Sequence, residues 1–236
     1  MGVGDREPFL ALCFVHAIRS VSPSAAYPHH VDAADLIASL DAANLAAAQA
    51  AIGCVPIHAA SVETSAGVIA FAGQSHSGKS TLAAAAVLAG YPYVADEITA
   101  VSPDDLSVRP FHRPIGLRRG GAGAIGVDYP SAPDDRYQFV YPWEVGEGCP
   151  LSSGGTLAGI ALVAWGASSL PAITEVSPAL ALTQLTQHAV VHDEVYGPAF
   201  DGLNRIVRAV PIVTMTYSTT AQSLELLALL VERWQA

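Results

Sequence analysis

The sequence has few cysteines and no long apolar run, and each shortage excludes a class of protein. Its three cysteines (Cys13, Cys54 and Cys149) are far apart, without the paired spacing of a disulfide scaffold or a zinc site. No apolar run reaches the roughly 18 residues that a membrane helix needs. The N-terminal residues lack the basic and apolar regions of a signal peptide. We therefore expect a cytoplasmic protein that has no membrane partner.

Positive charge is also scarce. The 236 residues include 11 Lys and Arg against 21 Asp and Glu, which gives a formal net charge of −10. Duplex nucleic acid is bound largely by neutralising its phosphates with basic side chains. The acidic balance therefore predicts no nucleic-acid partner.

The apolar content is high enough for one large core. Hydrophobic residues make up 51% of the chain and charged residues 14%, a composition unlike that of disordered proteins. Apolar patterns predict strands over 9–18, 57–63, 68–72, 93–95, 157–165 and 209–217, and helices over 31–52, 81–89, 178–191 and 218–234. We expect residues 1–54 to pack on a core formed by 55–236. The predicted fold class is α/β, a mixed β-sheet with flanking helices.

The stretch between residues 102 and 155 is rich in Pro, Gly and Asp. It has no clear helical or strand period, and residues 120–126 are the richest in glycine. Long irregular stretches inside a compact domain commonly carry binding loops or lids. We expect the same of this segment, with 120–126 as its most flexible part.

The most informative segment lies between the strand 68–72 and the helix 81–89. It fits the pattern G-x-x-x-x-G-K-[ST], in which backbone N–H groups and a helix N-terminus surround the phosphates of a nucleotide. In that pattern Lys79 contacts the β- and γ-phosphates and Ser80 binds Mg²⁺. The candidate nucleotide-binding residues are Gly73, Ser75, His76, Ser77, Gly78, Lys79, Ser80 and Thr81. The segment predicts that the protein binds ATP or a similar nucleotide.

Two adjacent acids, Asp96 and Glu97, follow the next strand along the chain. Near a nucleotide, one carboxylate can reach the metal and the other can accept a proton from an attacking hydroxyl. His58 lies just before the glycine-rich segment, on the first strand of the predicted hairpin. Taken alone, a histidine in an apolar strand is more often a satisfied core residue than a catalyst.

Taken together, these residues resemble the kinase domain of HPr kinase/phosphorylase and its small relatives. The likeness covers Ile57–Val62, Gly73–Ser80 and Val94–Glu97. It implies an HPr-kinase-like (PEP-carboxykinase-like) kinase core that transfers phosphate from ATP to a serine hydroxyl. The acceptor would be a peptide or protein, as with relatives that phosphorylate lasso precursor peptides. Many such relatives are homo-oligomers.

The resemblance also implies roles for single residues. Ser80 and Asp96 would hold Mg²⁺, Glu97 would accept the proton, and His58 would lie close to the phosphates. The chain departs from the family at two of its positions, with His76 for a usual Gly and Glu97 for a usual Asp. The family signature downstream is not recognisable in 116–127, so we expect a dedicated kinase without phosphorylase activity.

Two weaker signals leave alternatives open. The densest basic group, Arg113, Arg118 and Arg119, could contact the acceptor or the transferring phosphate, or could be solvated surface residues. His188 and His192 have a spacing that could hold a metal on one helix face, or could mark a polar helix end. Two other functions also fit the motifs. They are a small-molecule kinase and a nucleotide-binding module without turnover.

Overall fold

The computed structural model describes residues 53–127, 138–145, 148–166, 170–188 and 196–235. The strand predicted over 9–18 and the helix predicted over 31–52 lie outside these residues. Cys54 and Cys149 are free thiols. Within the described residues, no helix combines the length and apolar character needed to cross a bilayer.

The described part of the chain contains eleven strands and six helices. The strands are β1 (Val55–Ile57), β2 (Ala59–Thr64), β3 (Gly67–Ala72), β4 (Tyr93–Ala95), β5 (Thr99–Val101), β6 (Ser107–Arg109), β7 (Ile115–Leu117), β8 (Gln138–Val140), β9 (Gly155–Trp165), β10 (Ala172–Glu175) and β11 (Ile212–Tyr217). The helices are α1 (Lys79–Leu88), α2 (Arg119–Ala124), α3 (Pro142–Val145), α4 (Pro178–Thr186), α5 (Tyr196–Ala209) and α6 (Thr220–Trp234). The α/β class is thereby confirmed.

Nine strands form one mixed sheet, and β7 and β8 form a separate two-stranded sheet. The order of the large sheet is β1-β5-β6-β9-β3-β2-β4, and β11 joins β9 and β10. β9 is parallel to both β3 and β11, and the other paired strands run antiparallel. The predicted hairpin is confirmed, because β2 and β3 pair antiparallel around the turn at Ser65–Ala66.

Helices cover both faces of the sheet because its central strands alternate buried side chains between two cores. On β3, Val68, Ala70 and Ala72 face the core that holds Leu185 of α4 and Leu203 of α5. Residues Ile69 and Phe71 face the opposite core, which holds Leu82 of α1 together with Leu227 and Leu230 of α6. A strand that is buried on both faces has a continuous apolar sequence, which is why residues 68–72 predicted a strand correctly.

The segment 102–155 is more regular than its composition predicts. It contains β6, β7, α2, β8 and α3, and the stretch 120–126, predicted to be the most flexible, is mostly helical. Ala122 is fully buried there, and its N–H bonds to the Arg118 carbonyl over 2.8 Å. Tertiary packing of this one side chain outweighs the low helix propensity of the surrounding glycines.

Two boundaries and one helix also differ from expectation. The helix predicted over 178–191 ends at Thr186, and His58 lies in a bend before β2, outside any strand. α5 is not among the expected helices, and two glycines and a proline interrupt its sequence. Its apolar residues Leu203, Ile206 and Val207 nevertheless follow a helical period and are buried. Gly202 is required there because a Cβ would lie 2.7 Å from Val55 Cγ2.

Candidate active site

The predicted site residues meet at one edge of the large sheet. Parallel strands β3 and β9 end at this edge, and antiparallel β2 begins there, with Ala59 opposite Ala72. β4 runs antiparallel to β2 and therefore ends at the same edge. The edge thus carries, in spatial order, Asp96 and Glu97 after β4, His58 before β2, and the loop after β3. This loop, residues 73–80, is called the glycine loop below.

The glycine loop owes its shape to backbone conformations that favour glycine. Gly73 has a φ of 155°, and a Cβ on it would lie 2.7 Å from both Ser77 Oγ and the Val163 carbonyl oxygen. Gly78 has a φ of 95°, and its Cβ would lie 2.8 Å from the Tyr217 hydroxyl. Both glycines of the sequence pattern are therefore required by close packing as well as by φ.

His76 lies at the exposed tip of the glycine loop with a φ of 70°. Side chains other than glycine adopt this left-handed conformation at a cost. The position is the one at which the chain departs from the family's usual Gly, and its backbone still has the conformation that glycine favours. Ser75 is exposed beside it, whereas Ser77 Oγ is buried with no hydrogen-bond partner within the described residues.

Lys79 begins α1 and is 7% exposed. Its Nζ donates to the carbonyl oxygens of Gly73 at 2.9 Å and Gln74 at 3.1 Å. Burial lowers the pKa of Lys79, and the charges of Glu97 and Asp96 oppose that shift. The ammonium group is thus bonded to the first two residues of the glycine loop, where it could contact a bound anion.

Asp96 is fully buried and bonded on both carboxylate oxygens. Ser80 Oγ donates to Oδ1 at 3.0 Å, and the Gly116 N–H donates to Oδ2 at 3.2 Å. Burial and then the charge of Glu97 raise the pKa of Asp96, while Arg113 acts in the opposite direction. The resemblance implied that Ser80 and Asp96 act as a pair, and they are in contact.

This pair fits a divalent cation that is held jointly with a nucleotide. Mg²⁺ is usually bound through one or two carboxylates plus substrate phosphates and water, and a hydroxyl and a carboxylate are suitable oxygen ligands. The described residues contain no group of three or more His, Cys, Asp or Glu that could hold a metal without such help. His188 is described and His192 is not, so the metal site suggested for that pair remains a prediction.

Glu97 and His58 form a contact pair beside the glycine loop. His58 Nδ1 lies 3.2 Å from Glu97 Oε2 and 3.1 Å from the Glu97 carbonyl oxygen. Because a carbonyl can only accept, Nδ1 carries the hydrogen and the neutral ring has its lone pair on Nε2. Burial lowers the pKa of His58, and the charge of Lys79 lowers it further. His58 therefore holds the backbone of Glu97 as a neutral ring and lies next to its carboxylate.

The three arginines occupy different positions. Arg113 is 3% exposed and close enough to Asp96 to influence its pKa, so it is not a solvated surface residue. Arg118 and Arg119 lie at the start of α2, half-buried and exposed respectively. α2 approaches α1 closely, because a Cβ on Gly121 would lie 2.5 Å from Thr81 Oγ1.

Sequence patterns missed two residues at this edge, Trp165 and Tyr217, and gave His188 a different role. The His188 carbonyl accepts the His58 N–H at 2.6 Å, which ties the end of α4 to the site. Trp165 and Tyr217 end the parallel strands β9 and β11 beside the glycine loop. A parallel arrangement of 68–72, 157–165 and 209–217 would have placed both aromatic residues here, but the sequence does not specify which strands pair.

No protein-family model and no curated protein matches the chain.

Proposed function

We propose that this chain is an ATP-dependent phosphotransferase that transfers the γ-phosphoryl group to a hydroxyl of a peptide or protein serine. One observation carries the proposal. A glycine loop with its lysine, a buried Ser80–Asp96 pair and a Glu97–His58 pair lie at the same sheet edge. Phosphoryl transfer needs these three functions together: phosphate binding, cation binding and proton acceptance.

The glycine loop and Lys79 would bind the polyphosphate. Nζ is bonded to the Gly73 and Gln74 carbonyls, which are neutral acceptors. Charge-assisted bonds to phosphate oxygens are stronger than bonds to carbonyls. A bound triphosphate would therefore draw the ammonium group from the loop to the β- and γ-phosphates.

Ser80 and Asp96 would hold Mg²⁺ together with the phosphates, and the cation would neutralise charge on the transferring group. Arg113, buried near Asp96, lies where it can add to that neutralisation.

Glu97 would accept the proton of the acceptor hydroxyl. The hydroxyl oxygen forms a bond to the γ-phosphorus, and the bond from that phosphorus to the β,γ-bridging oxygen breaks. The products are a phosphate ester and ADP, and the proton passes from Glu97 to water. His58 lies beside the carboxylate, with Nδ1 bonded to the Glu97 carbonyl and 3.2 Å from Oε2. The serine acceptor rests on the resemblance to the HPr kinase family.

Intact-mass measurement of phosphate transfer tests this proposal. The wild-type protein is incubated with Mg-ATP and an HPr-type protein, peptides with a C-terminal serine, or free serine. We expect a gain of one phosphate on peptide or protein acceptors. Lys79→Ala is expected to abolish transfer, since Lys79 is the only lysine in the sequence and no neighbouring lysine can replace it.

Glu97→Gln separates binding from turnover. The amide keeps the size of the side chain, and the backbone carbonyl that His58 contacts is unchanged, but the amide cannot take up a proton. We therefore expect ATP binding to persist and transfer to fall by about 10²–10⁴-fold. Glu63→Gln, the same change on β2 opposite Val68, is the matched control and should transfer normally. Normal transfer by Glu97→Gln would refute its role as the base. If only free serine gains phosphate, the protein is a small-molecule kinase. If the protein binds ATP but transfers phosphate to none of the acceptors, it is a non-catalytic nucleotide-binding module.

A further inference from the structure

Trp165 is an exposed aromatic residue at the functional edge with no role in the chemistry above. It ends β9, the strand next to β3, and is 54% exposed although Ile160–Val163 of the same strand are buried. Tryptophan is usually well covered in folded proteins. An indole ring left open beside the glycine loop therefore needs an explanation.

Two hydrogen bonds hold Trp165, one through its backbone and one through its ring. The backbone N–H donates to the Ser77 carbonyl of the glycine loop at 3.1 Å. The indole Nε1–H donates to the Ser218 carbonyl, after β11, at 3.1 Å. A Cβ on Gly78 would lie 3.4 Å from Trp165 Cβ, so the side chain starts directly against the loop. Because its backbone is bonded to the loop and its ring to Ser218, the side chain loses little conformational freedom when a ligand binds.

The position of Trp165 relative to the acids indicates which end of a nucleotide it would meet. Asp96 and Glu97 lie on the β4 and β2 side of the glycine loop, and Trp165 lies on the β9 side. The γ-phosphate must lie towards the acids, because the Ser80–Asp96 pair that would hold the cation is there, as is the proton acceptor Glu97. The nucleoside end of the same molecule then extends away from them, towards β9.

We infer that Trp165 is the stacking platform for the purine ring of the nucleotide, an inference that rests on the proposed function. Because its Nε1–H is already bonded to Ser218, the ring offers the base a π-face and no hydrogen-bond donor. Stacking of this kind tolerates different bases. The site should therefore accept adenine and guanine nucleotides with similar affinity.

Calorimetric binding of ATP, GTP and inorganic tripolyphosphate, each with Mg²⁺, tests the inference on the full chain. Tripolyphosphate can occupy the glycine loop but has no base. We expect Trp165→Ala to lower the affinity for ATP and for GTP by about ten-fold and to leave the affinity for tripolyphosphate unchanged. Trp165→Phe keeps an aromatic face and should restore most of the affinity. Trp143→Ala, at a tryptophan on α3 that is 53% exposed, is the matched control and should bind all three ligands normally.

Other outcomes separate the two proposals. If Trp165→Ala lowers the affinities for ATP and tripolyphosphate equally, the residue only supports the loop. If it leaves the ATP affinity unchanged, the base lies elsewhere. Either result overturns the inference. If wild-type protein binds ATP and shows the expected loss in Trp165→Ala but transfers no phosphate, the inference is supported and the proposed transfer fails. If wild-type protein binds none of the ligands, both fail.

Discussion

At the scale of single residues, Glu97 combines a chemical role with an unfavourable backbone conformation. Its φ is 72°, one of three positive values among the described residues other than glycine. Strain of this kind is concentrated at functional sites, where the surrounding structure holds a residue in an otherwise disfavoured conformation. At Glu97 it allows the carboxylate to reach His58 while the adjacent Asp96 points into the core.

The cost of this conformation is measurable by comparing Glu97→Gly with Glu97→Ala. Both variants lose the carboxylate, but only glycine adopts a positive φ freely. We expect Glu97→Gly to be more stable than Glu97→Ala by about 1 kcal/mol in urea unfolding, and both to lose transfer equally.

The same pair of changes at Glu63 is the control. Glu63 lies within β2, where glycine weakens a strand, so the order of stability should reverse. If Glu97→Gly were no more stable than Glu97→Ala, the backbone at residue 97 would not be strained.

At the scale of elements, the glycine loop packs against the ends of β9 and β11. The Ser77 carbonyl accepts the Trp165 N–H, and the Tyr217 hydroxyl lies against Gly78. Tyr217 is 3% exposed, and its hydroxyl has no hydrogen-bond partner within the described part of the chain. Burial raises the pKa of Tyr217, so the group stays a neutral phenol. The loop is thus fixed by a strand that is more than 130 residues away in the sequence.

Tyr217→Phe tests whether this hydroxyl contributes to stability. Leaving a buried hydroxyl unsatisfied costs about 1–3 kcal/mol, so its removal should leave the free energy of unfolding unchanged or raise it by about 1 kcal/mol. Tyr93→Phe is the matched control, because the Tyr93 hydroxyl donates to the Arg113 carbonyl at 3.0 Å and its loss should be destabilising. A loss of more than about 1 kcal/mol in Tyr217→Phe would show that its hydroxyl has a partner.

At the scale of the whole molecule, folding removes several histidine side chains from water. Burial lowers the pKa of His58, His112 and His188 below the usual value of about 6.5. The three rings are therefore neutral in the folded protein at neutral pH. Lys79 and Arg113 add to this effect at His58, while Asp96 and a bond to the Glu97 carbonyl oppose it.

This burial predicts that stability falls as the pH drops below about 6.5. In that range the unfolded chain binds protons on its histidines before the folded chain does, so protonation favours unfolding. Urea unfolding between pH 7.5 and 5.5 measures the effect. His58→Gln removes one of these groups, and its stability should depend less on pH than that of the wild type. An equally steep dependence would mean that folding does not shift the pKa of His58.

The sequence predicted the parts of the fold whose cause is local. The β2–β3 hairpin, α1 and β4 follow from apolar period and turn residues over short stretches. The sequence did not predict α2 and α5, because glycines, which disfavour helix, lie within both segments. Burial of Ala122 in one and of Leu203, Ile206 and Val207 in the other stabilises them, and that burial depends on distant partners.

The same division holds for the site. By itself the sequence determined the glycine loop, since Gly73 and Gly78 need particular backbone angles and Lys79 and Ser80 follow at fixed spacing. Only the tertiary structure decided that His58 contacts Glu97, 39 residues away. It alone also decided that Asp96 is buried and that Trp165 stands open beside the loop. Strand pairing makes these contacts, and it depends on how distant apolar faces pack together.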